Sequence, residues 1–209
     1  MQFFRSINSV EAMTFDLDDT LYNNEPIIRR AEQALQAHIA EHHKHAAKLT
    51  SLDWLQLKRA AIAKDARLAS DMGQLRRVVL SAALSGTPAN QLSIVPTEDT
   101  ALRAAVDSCF NCFYDARSDF ALASNVHHTL DKLSQHLPLV GITNGNVNAQ
   151  KVGLDRYFTA ILHASVERPM KPAQNMFDEA ASLIKVTPSH ILHVGDNIIK
   201  DVFGAINAG

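Results

Sequence analysis

The chain has 209 residues, 46% hydrophobic and 20% charged, and its 20 Lys and Arg against 22 Asp and Glu leave a formal charge of -2. That balance supports a sizeable core, and 8 Gly and 7 Pro are too few for a disordered, fibrous or low-complexity chain. Basic pairs such as Arg29-Arg30 and Arg76-Arg77 are scattered, apolar runs are too short to span a bilayer, and Met1 to Ser9 has no apolar leader, so the expected protein is cytoplasmic, without nucleic-acid or membrane partners.

The first predicted element is the apolar run Ala12-Phe15, a strand that ends in Asp16-Leu17-Asp18-Asp19-Thr20. Only helical stripes follow: Ile28, Ala31, Leu35 and Ile39; Trp54, Leu57 and Ala61; Leu75, Val78, Val79 and Ala82; Leu102, Ala105, Cys109 and Phe113. Four inserted helices after the first strand are the simplest reading. His38, His42 and His45 fall at i, i+4 and i+7 on the first of them, a face able to hold a transition metal with Cys109 or Cys112. A polar, solvent-facing helix end explains the same residues more simply. Cys109 and Cys112 lie within a helical stripe, away from a strand-to-helix turn or a second cysteine pair, so two buried, inert thiols are expected.

Beyond the insertion, Val126, Leu130, Leu133 and Leu137 form a helical stripe that runs into the apolar segment Leu137-Thr143. A third strand is predicted at Ala160-Ala164, then a helix carrying Met176, Phe177, Ala180, Leu183 and Ile184 between Pro172 and Pro188, then a strand at Ile191-Val194. Each strand after the first follows a helical pattern, which implies βαβ units, right-handed crossovers and a parallel sheet of the α/β class. A last helix is predicted over Asp201-Ala208, and the Ala-Gly that closes it would lead into a further core strand, here missing.

Ligands of an open parallel sheet bind outside the carboxyl ends of its strands. Asp16, Asp18 and Asp19 lie there, and the strand Ile191-Val194 ends in Gly195-Asp196 with Asp201 close behind. An acidic turn capping the next helix would account for the first group alone. Converging carboxylates repel one another and call for a cation, and an oxygen-only ligand set points to Mg²⁺. Two more strand ends add Thr143-Asn144-Gly145-Asn146, a hydroxyl and a Gly turn suited to an anion, and Lys171 between Pro169 and Pro172. Each alone reads as a turn former or a solvated charge; together with the acids they read as catalytic.

The set Met13-Thr14-Phe15-Asp16-Leu17-Asp18-Asp19-Thr20, Ile142-Thr143-Asn144, Lys171-Pro172 and Gly195-Asp196-Asn197 through Asp201 resembles the four motifs of the haloacid-dehalogenase-like hydrolases, in order. The insertion resembles their helical cap of the first class. The resemblance implies a Rossmann-like three-layer core over 1–22 and 120–209 and a cap over 23–119. It implies a phosphomonoester hydrolase in which Asp16 forms an aspartyl-phosphate and Asp18 is the general acid. Thr143, Asn144, Gly145 and Lys171 would bind the phosphoryl group. Mg²⁺ would bridge Asp16, the backbone carbonyl of Asp18 and Asp196, while Asp201 would support the metal or orient Lys171, with Asp19 and Thr20 as structural supports. Leu21-Tyr22-Asn23-Asn24, Gly141 to Asn146 and Ile191 to Asp196 are similar to the bacterial branch that dephosphorylates flavin mononucleotide (FMN) and 5-amino-6-(5-phospho-D-ribitylamino)uracil. A small phosphorylated metabolite is therefore the expected partner, with a nucleotide or sugar phosphate as the alternative. A non-catalytic phospho-accepting module would also use an Asp cluster, a Thr and a Lys, but needs neither the acid at Asp18 nor a lid. A dehalogenase would lack that acid, because halide leaves unprotonated. Tyr22, Asn23, Asn24 and Asn146 could touch substrate or merely cap helices and turns; His193 is expected to be a satisfied core residue close to Asp196.

Overall fold

Strand β1 (Ala12–Phe15) pairs in parallel with β2 (Leu139–Thr143) on one side and β4 (Ile191–Val194) on the other, and β3 (Ala160–His163) lies beyond β2. This computed structural model describes residues 9–209, so the expectation that 1–8 hold no leader lies outside the described residues. Every residue of β1 and β2 is buried, as expected of central parallel strands covered on both faces. The register sets Phe15 opposite both Gly141 and Val194, and Thr143 opposite His163, which fixes where each strand ends. Asp16, Asn144 and Gly195 consequently emerge at one edge of the sheet.

Helix α5 (Ser124–Ser134) precedes β2, and α6 (Asn175–Ile184) leads from β3 toward β4. The expected helix before β3 is not formed: that connection holds one 3₁₀ turn, Asp155–Tyr157. Gly153 adopts a left-handed φ of 73° that interrupts any helix, while Val147, Val152, Leu154 and Phe158 still bury their side chains against the sheet. Leu183, counted with the core stripe of α6, is exposed, because the helix buries Met176, Phe177, Ala180 and Ala181 instead. The predicted last helix begins earlier than expected. It opens with a π-helical turn, Ile198–Phe203, and ends with the short α7 (Gly204–Asn207), where Gly204 lies against the Phe177 ring.

Between β1 and α5 come the four predicted helices: α1 (Asn24–His42), α2 (Ser51–Lys64), α3 (Met72–Ser85) and α4 (Thr100–Arg117). Their starts are set by side-chain caps: Asn23, Thr50, Asp71 and Asp99 each accept from a backbone N–H of the first turn, and Thr50 with Asp53 completes a capping box. Gly86, at a φ of 71°, closes α3. Ala31, Leu35, Ile39, Leu57, Ala61, Leu75, Val79, Cys109 and Phe113 form their shared core, separate from the cluster around Met13, Phe15 and Leu139. Two stripe positions shift by one residue: Ile27 rather than Ile28, and Val106 rather than Ala105, is fully buried. The predicted His38, His42 and His45 face is also revised. Helix α1 ends at His42, so His45 leaves the face and its ring lies against Gly86. Cys109 is buried as expected, whereas Cys112 is only partly so, its thiol donating to the Ala34 carbonyl at 3.6 Å.

Candidate active site

The ladder continues one residue past β1, the Asp16 N–H donating to the Val194 carbonyl at 2.9 Å, which anchors the backbone of the first acid. A tight turn follows in which Asp19 takes a left-handed φ of 61°, tolerable for Asp, and its carboxylate accepts the Asn24 N–H at 2.8 Å. Asp19 thus joins the strand exit to α1. Thr20 donates to Asp16 Oδ2 at 3.2 Å.

Lys171 is 1% exposed and donates from Nζ to Asp16 Oδ1 at 2.7 Å and to Asp201 Oδ1 at 2.6 Å. A lysine buried to that extent keeps its charge only beside carboxylates, and two are supplied. Asp201 also accepts the Asn197 N–H at 3.0 Å and meets His193 Nε2 at 3.2 Å, while His193 Nδ1 is 2.8 Å from the Thr14 hydroxyl. His193 is therefore a satisfied core residue that holds Asp201. Burial pushes the Asp16 carboxyl above its ordinary range, and Lys171 opposes that rise without cancelling it. Burial acts the same way on Asp201, but hydrogen bonds from His193, Lys171 and the Asn197 amide outweigh it and hold its carboxyl well below the usual range. A Cβ on Gly195 would stand 2.3 Å from Asp201 Cγ, so this close approach requires glycine.

The Asp18 carboxylate accepts the Tyr22 hydroxyl at 2.6 Å and pairs with Arg117 Nη2 at the end of α4. Burial and the Asp18 charge push the Tyr22 phenol up, so it stays a donor. Arg117 was not singled out from the sequence, where an arginine in a last helical turn reads as a dipole partner. Its unit of recognition is Asp18, which lies 99 positions away.

Thr143 is fully buried, and its Oγ1 accepts the Gly145 N–H at 2.9 Å. The Gly145 amide is thereby turned back on Thr143 rather than left open toward an anion. The Asn144 side chain is spent on Lys171, donating to its carbonyl at 3.0 Å and accepting its N–H at 2.8 Å, so it straps the two loops together. A cleft of about 450 Å³ lies over these groups. Asp16, Asp18, Thr143 and Asp196 line it from the sheet edge, and Asn24, Met72, Arg76 and Arg117 line it from the inserted helices. Asn23 caps α1, whereas Asn24 and Asn146 face the cleft. Arg117 Nη1 and Asn24 Oδ1 are buried and lack a hydrogen-bond partner among the described residues.

Carboxylate oxygens of Asp16, Asp196 and Asp201 all lie within 4.8 Å of one another. An all-oxygen, acidic set of this kind fits Mg²⁺. The Asp18 carboxylate is outside the group and engaged elsewhere.

The haloacid dehalogenase-like hydrolase family matches residues 10–209. The 5-amino-6-(5-phospho-D-ribitylamino)uracil phosphatase YigB of Escherichia coli (strain K12) is 32% identical over all of this chain and 84% of its own length. Human N-acylneuraminate-9-phosphatase is 28% identical over 51% of the chain and 46% of its own. Among solved structures, 2-haloacid dehalogenase from Pseudomonas syringae pv. Tomato DC3000 superposes with a TM-score of 0.87 at 30% identity, covering 96% of this chain and 84% of that one. The α/β fold, the order of the motifs at the sheet edge and these relatives agree: the chain is a hydrolase and belongs to the haloacid dehalogenase-like family.

Proposed function

We propose that the chain is a Mg²⁺-dependent phosphomonoesterase acting on 5-amino-6-(5-phospho-D-ribitylamino)uracil or FMN. Residues 23–119 serve as a cap over a core of 1–22 and 120–209. The observation that carries the reading is the second acid: Asp18 reaches the cleft beside Asp16, held by Tyr22 and Arg117. A phosphate ester needs its departing alkoxide protonated, and a halide does not, so the phosphatase relatives are better guides to the chemistry than the dehalogenase one.

Asp16 attacks phosphorus and the ester oxygen leaves with the proton of Asp18, giving an aspartyl-phosphate. Asp18 then takes a proton from the water that attacks this intermediate, which releases phosphate and restores Asp16. Thr143 donates its hydroxyl to a phosphoryl oxygen with the backbone at Asn144 helping, and Lys171 neutralises the group together with Asp16. Mg²⁺, held by Asp16, Asp196 and the Asp18 carbonyl, supplies charge neutralisation for the phosphoryl oxygens when bound. Asp201 orients Lys171.

The ribityl ester is favoured by the 32% identity to the Escherichia coli ribitylaminouracil phosphatase, which extends over the whole chain. The free thiols Cys109 and Cys112 suit a reducing, cytoplasmic setting. Phosphate release from the two riboflavin-pathway esters, sugar phosphates and nucleotides, with Mg²⁺ or with chelator, tests the reading. The highest kcat/KM is expected on the ribityl esters and only with metal. Preference for a nucleotide or a hexose phosphate overturns the substrate, and halide release from 2-chloropropionate without phosphate release overturns the reaction.

A further inference from the structure

On the insertion, away from the cleft, ring nitrogens of His38 and His43 and the Sγ of Cys109 lie within 4.8 Å of one another. The fold brings them together deliberately. His38 lies one turn before the end of α1, His43 is the residue that caps it, and Cys109 is buried in the middle of α4 against that end. His38 Nε2 is 3.1 Å from the Ser108 hydroxyl, a bond that orients the ring. The carboxyl end of α1 carries the negative pole of its dipole, which suits a cation. Cys112 turns the other way, its thiol spent on the Ala34 carbonyl, and the His42 ring lies tilted with its centroid 4.5 Å from that of His38.

We propose that His38, His43 and Cys109 form a Zn²⁺ site that ties α1 to α4. Two imidazole nitrogens and one thiolate are the borderline-soft donors that zinc takes, and the partly exposed histidines leave the fourth position to water. Ligand atoms sharing a tetrahedral zinc stand about 3.3 to 3.8 Å apart for bonds of about 2.0 to 2.3 Å, so side-chain rotations of about 1 Å close the set. Burial and the neighbouring imidazoles push His43 down, which keeps it in the neutral, ligating form. The Cys109 thiol, pushed up to about 11 by burial, releases its proton to solvent as the Zn–S bond forms. The oxygen-only set at the sheet edge is a different site and takes no part, and the proposal stands whatever ester the enzyme hydrolyses.

Titration of the full-length chain with Co²⁺, in excess Mg²⁺ to fill the oxygen site, reads the thiolate directly. One Co²⁺ per chain is expected, with a near-ultraviolet thiolate-to-cobalt charge-transfer band that Zn²⁺ abolishes by displacement. Cys109→Ser should remove the band. His43→Gln, at a partly exposed position that leaves the core intact, should weaken binding by more than the about 10- to 100-fold that loss of an outer-sphere partner costs. Cys112→Ser and His42→Gln should keep the band. A missing band in the parent protein, a band that follows Cys112 instead of Cys109, or unchanged affinity in His43→Gln overturns the site.

Discussion

Lys171 donates to Asp16 across 2.7 Å in a setting where the lysine is 1% exposed, so the proposed nucleophile and its counter-charge are inseparable parts of the core. Removing the cation leaves two buried carboxylates facing each other, a change on the order of 3–5 kcal/mol for a broken buried pair. Lys171→Met is therefore expected to lower the melting temperature and to reduce kcat by about 100-fold or more through loss of charge stabilisation. It should also move the acid limb of the pH–rate profile upward. Burial already raises the Asp16 carboxyl and Lys171 pulls it down, so without the lysine the raising effect stands unopposed. An acid limb that stays in place would show that Asp16 does not titrate under the influence of Lys171.

The Asp18 assignment separates by leaving group. Asp18→Asn keeps the backbone carbonyl but cannot donate a proton, so turnover of alkyl phosphates should fall by about 10²–10⁴-fold. Aryl phosphates, whose leaving groups need little protonation, should fall much less. Arg117→Met should follow the same pattern more weakly, because it frees the Asp18 carboxylate from its ion pair without removing it. Steady-state kinetics on p-nitrophenyl phosphate and a ribityl phosphate compare the two; equal losses on both substrates would count against proton transfer by Asp18.

Much of this site could be read from the order of residues, because parallel strands deliver whatever follows them to one edge. Asp16, Thr143 and Asp196 are found by locating strand ends, and Lys171 by its place before α6. Arg117 was legible only as a helix residue, since its partner is the side chain of Asp18 and no local pattern encodes a contact spanning the insertion, while Tyr22, which by its place could touch substrate, instead donates to Asp18. The same limit explains the connection before β3. Its Val147, Val152 and Leu154 are buried without helical spacing, and Gly153 and the sheet surface settle the backbone. Asn144 shows the converse case: it emerges at the end of β2 as the motif implies, while its side chain is a strap to Lys171.

Two glycines should respond differently to alanine. At Gly195 the new Cβ would meet Asp201 Cγ at 2.3 Å and Cβ at 2.5 Å, close to the stem rather than the tip of the side chain, so Asp201 must move and release Lys171. Overpacking of this kind costs about 1–3 kcal/mol, and activity should fall with it. Gly153 has open space around it but a φ of 73°, so Gly153→Ala should cost about 1–2 kcal/mol of stability and leave kcat unchanged. Chemical denaturation and kcat for both variants test the contrast, which fails if Gly195→Ala retains full activity.

Metal linkage gives a fourth expectation. Asp16, Asp196 and Asp201 repel one another, and Lys171 offsets part of that charge by bonding both buried members. Mg²⁺ binding to the folded state should raise the melting temperature, by about 2.7 kcal/mol of stability at 100 times its Kd. Asp196→Ala removes the exposed member of the set without disturbing the buried pair, so the variant should fold normally and lose most of the shift. Calorimetry with Mg²⁺ and with chelator decides, and an undiminished shift in Asp196→Ala would place the ion elsewhere.

The last expectation concerns acid stability and rests on Asp201. Its folded carboxyl lies well below the ordinary value: burial raises it, but the hydrogen bonds from His193, Lys171 and the Asn197 amide prevail. A carboxylate depressed in the folded state contributes stability that is fully present above the unfolded value of about 3.9 and is lost as pH falls toward the folded one. Asp16 carries the opposite sign, because burial raises its folded carboxyl and its protonation on acidification relieves strain. The difference in stability between the parent protein and Asp201→Asn should therefore be constant from about pH 7 to pH 5 and shrink below about pH 4. Urea midpoints measured across that range with Mg²⁺ absent give the difference directly. A gap that widens on acidification would mean that Asp201 is not the ionised partner of Lys171 in the folded protein.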